Sequence, residues 1–231
     1  MIWAAACLAL GLLPLAGHAA ADETSAVASE SEGWQELVRV LEASPMPASV
    51  QARFTQERIS LLLDEPVRSE GRFVAKGKTA RLSLVTPERV EMRFDDAAML
   101  IYFPGDRVLE HYRIPREGLA YATGRPDPDR LAQDFTLVDL SEDETSNLWT
   151  LTLEPRDALG DHLLSLTMRF DPALGLIVGT SIVDAAGDRT DIALTNIQTD
   201  VDVSDADLEL SVPEDVVHVY PEGSPSAAEG P

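Results

Sequence analysis

The triplet Glu110-His111-Tyr112 sets a carboxylate, an imidazole and a phenol in succession, the parts of general acid–base chemistry. On a strand, successive side chains alternate between faces. Glu110 and Tyr112 therefore share one side and His111 points to the other, which parts the imidazole from the acid. The remaining histidines, His18, His162 and His218, are scattered. No histidine pair has i, i+4 spacing, and no Cys or carboxylate stands beside one at ligand spacing, so no metal site is expected. The sequence holds neither a Gly-x-Ser-x-Gly nucleophile motif nor a glycine loop for phosphates. With 40 Asp and Glu, carboxylate pairs arise by chance, and nothing singles out one pair as catalytic. The expectation is a protein that is not an enzyme and needs no cofactor.

The stronger signal is alternation. From Gly71 to Val219 the chain repeats apolar and polar residues, cut into short runs by Pro, Gly and Asp. Leu164, Leu166, Met168 and Phe170, for example, are separated by Ser165, Thr167 and Arg169. Such a strand has one dry face and one wet face. A chain built almost wholly of them makes one curved sheet or barrel, whose dry face covers either a packed core or an apolar ligand.

Residues Ile2 to Ala16 are uncharged and apolar, a length that suits the core of an export signal and is short for a membrane span. Ala19, Ala20 and Ala21 precede Asp22, which places cleavage near Ala21 and the mature protein in the periplasm, although no Lys or Arg precedes the apolar run. His18 stands where a lipidation box would need its Cys, so a soluble product is expected. The only cysteine, Cys7, lies within the signal; the mature chain has no disulfide and no thiolate nucleophile. The net charge of −22 falls entirely outside residues 1–21. It excludes a nucleic-acid partner, opposes adsorption to anionic lipid surfaces, and keeps an exported protein soluble.

Residues 22–31 read as a flexible leader. Ser29 to Glu32 resembles a capping box, followed by Trp34, Leu37, Val38 and Leu41 at helical spacing. A first strand covers Val50 to Arg58. A meander follows with strands at 71–76, 80–85, 89–94, 98–103 and 107–114, joined by links short enough to make neighbours antiparallel. Residues 117–122 and 129–134 lose the alternation and read as short helices. Strands resume at 135–140, 148–154, 162–171, 176–184 and 189–199. A turn at 204–207 precedes two last runs, 208–212 and 216–220, and from 221 to 231 the tail is expected to be disordered.

The order of these pieces resembles the outer-membrane lipoprotein carrier family, LolA, over residues 34 to 219. The resemblance rests on Phe54-Thr55-Gln56, Ser69 to Phe73, and Pro87 to Met92. It continues through Ile101-Tyr102-Phe103-Pro104 with Val108-Leu109-Glu110, Leu151 to Pro155, Leu166 to Asp171, and Ile182 to Thr190 with Leu194 to Gln198. It implies one domain over 32–220 that is mainly β, an incompletely closed antiparallel β-barrel with an N-terminal helix and short helices as a lid. It also implies a monomeric carrier of acylated lipoproteins or similar lipids, loaded by an inner-membrane release complex and emptied by an outer-membrane acceptor. One long acyl chain costs roughly 10 kcal/mol to expose at about 0.8 kcal/mol per methylene, so such a carrier needs a continuous apolar lining. The residues placed to provide it are Leu82, Leu84, Val90, Met92, Phe94, Met99, Ile101 and Phe103, together with Leu164, Leu166, Met168 and Phe170. The methionines among them suit a pocket that reshapes around variable chains. The same residues could instead fill a closed core. The chain departs from the family at Lys76 to Leu82, where the Arg-Pro pair that ties the lid to the barrel is missing; Arg81 or Lys78 is the candidate to take over that contact. A lipid-sensing binding module of the same architecture is the second reading, and an exported carboxylate-dependent hydrolase the third.

Overall fold

The computed structural model describes residues 23–60, 62–95, 98–113, 127–156 and 160–221. The export signal, the first of the two expected lid helices and the tail beyond 221 lie outside them. Three helices and twelve strands follow in the order α1 (Glu23–Ala43), β1 (Ser49–Ile59), β2 (Val67–Lys76), β3 (Thr79–Thr86), β4 (Val90–Phe94), β5 (Ala98–Phe103), β6 (Val108–Arg113), α2 (Pro128–Asp134), β7 (Phe135–Asp143), β8 (Leu148–Pro155), β9 (Leu163–Asp171), β10 (Leu176–Asp184), β11 (Arg189–Thr199), α3 (Asp205–Leu208) and β12 (Val217–Val219). The strands form one sheet in the order β12-β6-β5-β4-β3-β2-β1-β11-β10-β9-β8-β7, which does not close into a barrel. The described residues divide into two compact units, the first of those within 1–46, 57–67 and 124–193, the second of those within 47–56, 68–123 and 194–231.

In the first unit, α1 and α2 pack on β7 and on each other. Leu37 and Leu41 on α1, Leu131 on α2, Phe135 and Leu137 on β7, and Leu151 and Leu153 on β8 are all buried. Gly33 lets α1 come close to β7: a methyl group there would sit 2.8 Å from Leu137 Cδ2. At α2, Asp127 accepts a hydrogen bond from the Arg130 amide at 3.2 Å and Pro128 occupies the first turn, where its missing N–H costs nothing. The β10–β11 turn depends on Gly187 at φ 84°, with the Asp184 carboxylate accepting from the amides of Ala186 and Asp188.

In the second unit, β2 to β6 form an antiparallel meander, as the short links require. Its turn at Gly77 has φ 59°. A bulge between Glu70 and Gly71 brings β2 so close to β3 that any Cβ at Gly71 would collide with the Ser83 carbonyl.

Four expectations are corrected. Helix α1 starts at Glu23, so residues 23–31 of the expected leader are helical, and Ser29 to Glu32 is helix interior rather than its cap. Ala and Glu are good helix formers, and once the amphipathic turns nucleate the helix each added residue gains a hydrogen bond. Residues 209–212 are not strand. Ser204 and Asp207 form a reciprocal capping box that starts α3 instead, and Leu208 is buried with Val74 and Val203. Strand β12 runs parallel to β6, because the chain returns to that edge from a distant part of the sequence rather than through a hairpin. Leu164 is 52% exposed and Leu163 is buried. Ser165 pairs with Val183 and Leu163 with Asp184, so a bulge at Leu164 reverses the alternation that placed it on the dry face.

Candidate functional site

The dry face of the second unit is assembled by register. Phe73 pairs with Leu82, Leu82 with Met92, Met92 with Ile101 and Ile101 with Glu110. A parallel row runs Ala75, Ala80, Phe94, Met99, Tyr112, and Leu84 pairs with Gly71 on one side and Val90 on the other. Paired residues in a sheet point the same way, so these rows make one continuous apolar surface across β2 to β5. Leu82, Leu84, Val90, Met92, Phe94, Met99 and Ile101 are all no more than 5% exposed, and Phe103 is half-buried at the margin.

In the first unit, Leu166, Met168 and Phe170 are buried on β9, opposite Leu153, Leu151 and Trp149 of β8. Leu164 leaves this set for the reason given above.

The opposite face of the second unit sets ion pairs among buried Val74, Tyr102 and Leu109. Glu91, 5% exposed, alternates with Val90 and Met92 and turns away from them. Arg81 Nη2 donates to its Oε2 at 3.0 Å, Ser83 Oγ to the same oxygen at 2.5 Å, and Arg89 Nη2 to Oε1 at 3.0 Å. Burial alone would raise the Glu91 pKa; the bonds from Ser83, Arg81 and Arg89 outweigh it and hold the carboxyl below its usual range. Arg81 also reaches the Asp207 carbonyl at 3.4 Å, and Lys76 Nζ donates to that of Val203 at 2.7 Å, which fastens α3 to this face. Arg81 is thus engaged away from the apolar rows, and Lys78 is exposed at the turn.

Strand β6 carries Glu110, His111 and Tyr112. The Tyr112 hydroxyl donates to Glu110 Oε2 at 2.7 Å, and both are half-buried on the apolar side. Burial and the Glu110 carboxylate push the Tyr112 phenol up, so it stays a donor. His111 lies on the other face, its Nε2 2.9 Å from His218 Nδ1 and its ring stacked on Tyr220 at a centroid distance of 4.6 Å. Sequence alternation showed that Glu110 and Tyr112 share a side but not which side. Leu109 is apolar too, and only the pairing of Ile101 with Glu110 decides it.

The model of the outer membrane lipoprotein carrier protein LolA matches residues 47–209, most of the chain. The protein belongs to the LolA family. Family members are binding and carrier proteins. None of the curated proteins matches the chain. Among solved structures, an uncharacterized conserved protein from Thermus thermophilus is 13% identical with a TM-score of 0.52, over 80% of this chain and 98% of that one. A LolA superfamily protein from Nitrosomonas europaea is 10% identical, over 76% and 97%, with a TM-score of 0.41. The lipoprotein LppX of Mycobacterium tuberculosis is 12% identical, over 76% and 100%, with a TM-score of 0.42. The Thermus likeness is one of fold. No helix among the described residues is long and apolar enough to cross a membrane, and no three His, Cys, Asp or Glu among them could hold a metal ion.

Proposed function

We propose that this LolA-family protein is a periplasmic carrier that shields the acyl chains of lipoproteins, or of similar lipids, and moves them from the inner to the outer membrane. The observation that supports this reading is the unbroken apolar surface of β2 to β5, built by register from Phe73, Leu82, Met92 and Ile101 and their neighbours. A plain structural sheet needs no more than a packed core. A carrier needs such a surface to be wide, unbranched by charge and able to open. Since these residues are covered here, loading requires their cover to withdraw, and the apolar area then exposed is what makes an acyl chain bind. Met92 and Met99 give this surface side chains that repack easily. An inner-membrane release complex and an outer-membrane acceptor would supply and remove the cargo.

Native mass spectrometry of protein purified from its own periplasm without detergent tests the reading. Extra mass that extracts into organic solvent as an acylated peptide or lipid is the expected result. Phe103→Asp, at the half-buried margin where a charge is tolerated, should fold normally and bind an N-palmitoyl peptide at least about tenfold more weakly. An apo mass with no uptake of that peptide by the parent protein would refute the carrier role.

A further inference from the structure

One carboxylate stands on the dry face. Glu110 has Ile101 beside it on β5 and Val219 beside it on β12, with Val108 two residues away on its own strand. A hydrophobic residue would suit that position better for folding alone, because a half-buried carboxylate on an apolar surface gives up hydration. Among the described residues its hydrogen-bond donor is the Tyr112 hydroxyl, which uses Oε2. Tyr112 is itself on the dry face, opposite Met99, and points its one proton at Glu110. The pair therefore presents a fixed acceptor, Oε1, at the end of the row Phe73, Leu82, Met92, Ile101, where an apolar chain lying along that row would reach its polar end.

We propose that Glu110, held by Tyr112, determines which acyl ligands this face accepts: it selects chains whose polar end carries an N–H donor and rejects those that end in an anionic group. This rests on the carrier reading and names its substrate class. A carboxylate with a free lone pair gains a charge-assisted bond from an amide N–H next to the acyl carbonyl. It repels a phosphate at the same place, and the protein's net charge of −22 adds no compensating cation. N-acylated peptides satisfy the rule; an ester-linked analogue lacks the donor, and phosphatidylglycerol brings the wrong charge. The pair is thereby a filter against anionic phospholipids.

The test is displacement of a fluorescent acyl probe from the full mature protein by three ligands with the same chain. These are an uncharged N-palmitoyl dipeptide amide, the counterpart in which an ester oxygen replaces the acylated N–H, and dipalmitoyl phosphatidylglycerol. The parent protein should bind the amide about tenfold more tightly than the ester, the size of one hydrogen bond to a charged group at a half-exposed site. Glu110→Gln should shrink that preference and strengthen phosphatidylglycerol binding several-fold. Glu209→Gln, which removes the same charge from an exposed position elsewhere, should change neither. Tyr112→Phe, which loses the hydroxyl that fixes the carboxylate, should weaken the amide preference while keeping the rejection of phosphatidylglycerol. Equal binding of amide and ester by the parent, or a Glu110→Gln variant with the parent's ligand ranking, would overturn the assignment of Glu110 and leave the carrier reading standing. Failure of the parent to bind any of the three would overturn both.

Discussion

Glu91 shows how a single side chain can be costly and still stabilise. Taking its carboxylate out of water is unfavourable, and bonds from Ser83, Arg81 and Arg89 return more than that cost, as its lowered pKa records. Arg89 is 66% exposed, so its share is screened, and Arg81 at 22% is the effective partner. Glu91→Gln keeps an acceptor and loses the charge; it should cost about 2 kcal/mol in urea unfolding at pH 7. The folded pKa lies below the ordinary value of 4.5, so this contribution is complete above that value and disappears as the pH falls through the folded one. The gap between parent and variant should therefore narrow as the pH falls below 4.5, and a gap that stays constant on acidification would show that packing rather than charge is lost. Residues of this kind were half legible. Alternation in Val90-Glu91-Met92-Arg93-Phe94 assigns Glu91 to the side opposite Met92, but no local pattern announces that Arg81, on the next strand, meets it. Leu164 failed for the complementary reason: its bulge is a property of pairing with β10, which the letters of β9 do not carry.

At the scale of elements, hairpins were legible and long returns were not. Strands β5, β10 and β11 begin and end where alternation and turn residues put them, because those signals are local. Strand β12 pairs with β6 across a long return of the chain, His218 lying 107 residues beyond the His111 it meets. The contact that holds it is titratable. Burial first, and then the neighbouring His218, lower the His111 pKa below 6.5. The groups that face His111 are His218 and Tyr220 from the β12 side and Leu100 from β5. Arg93 lies one strand further, already paired with Asp95 at 2.8 Å, and Arg107 pairs with Asp215 near the start of both strands. The unfolded chain takes up its proton near 6.5 and the folded chain only at lower pH. The docking of β12 is thus fully stabilised above about 6.5 and weakens as the pH falls through the folded value. Hydrogen exchange at the Val217 amide, which donates to the Arg107 carbonyl at 2.9 Å, should accelerate between pH 7.5 and 5.5 after correction for intrinsic rates. His111→Gln should remove most of that pH dependence, and His218→Gln only a smaller part of it. Unchanged protection at pH 5.5 in the parent would mean that backbone pairing alone holds the strand.

For the whole molecule, charge is the quantity that sequence states outright and that no single contact reveals. Forty acidic residues against eighteen basic ones leave each carboxylate in a repulsive field, and folding concentrates that field. Ion pairs act in the opposite sense under salt. Arg58 with Asp188 at 2.9 Å and Arg93 with Asp95 at 2.8 Å are partly buried and lose attraction only slowly, whereas exposed pairs such as Arg39 with Glu36 contribute little to begin with. A net of −22 outweighs these few attractions, so screening should stabilise the protein. Raising sodium chloride from 10 mM to 500 mM shortens the Debye length from about 30 Å to a few Å and should raise Tm by several degrees at pH 7.5. The same field should oppose adsorption to anionic bilayers. Sedimentation with vesicles of three parts phosphatidylethanolamine to one of phosphatidylglycerol should leave the protein in the supernatant at 100 mM salt. A Tm that falls with salt would show that the ion pairs outweigh the net charge. Co-sedimentation with these vesicles would show that apolar contact with the bilayer overcomes repulsion, and a carrier that exchanges cargo directly with membranes would then be the better description.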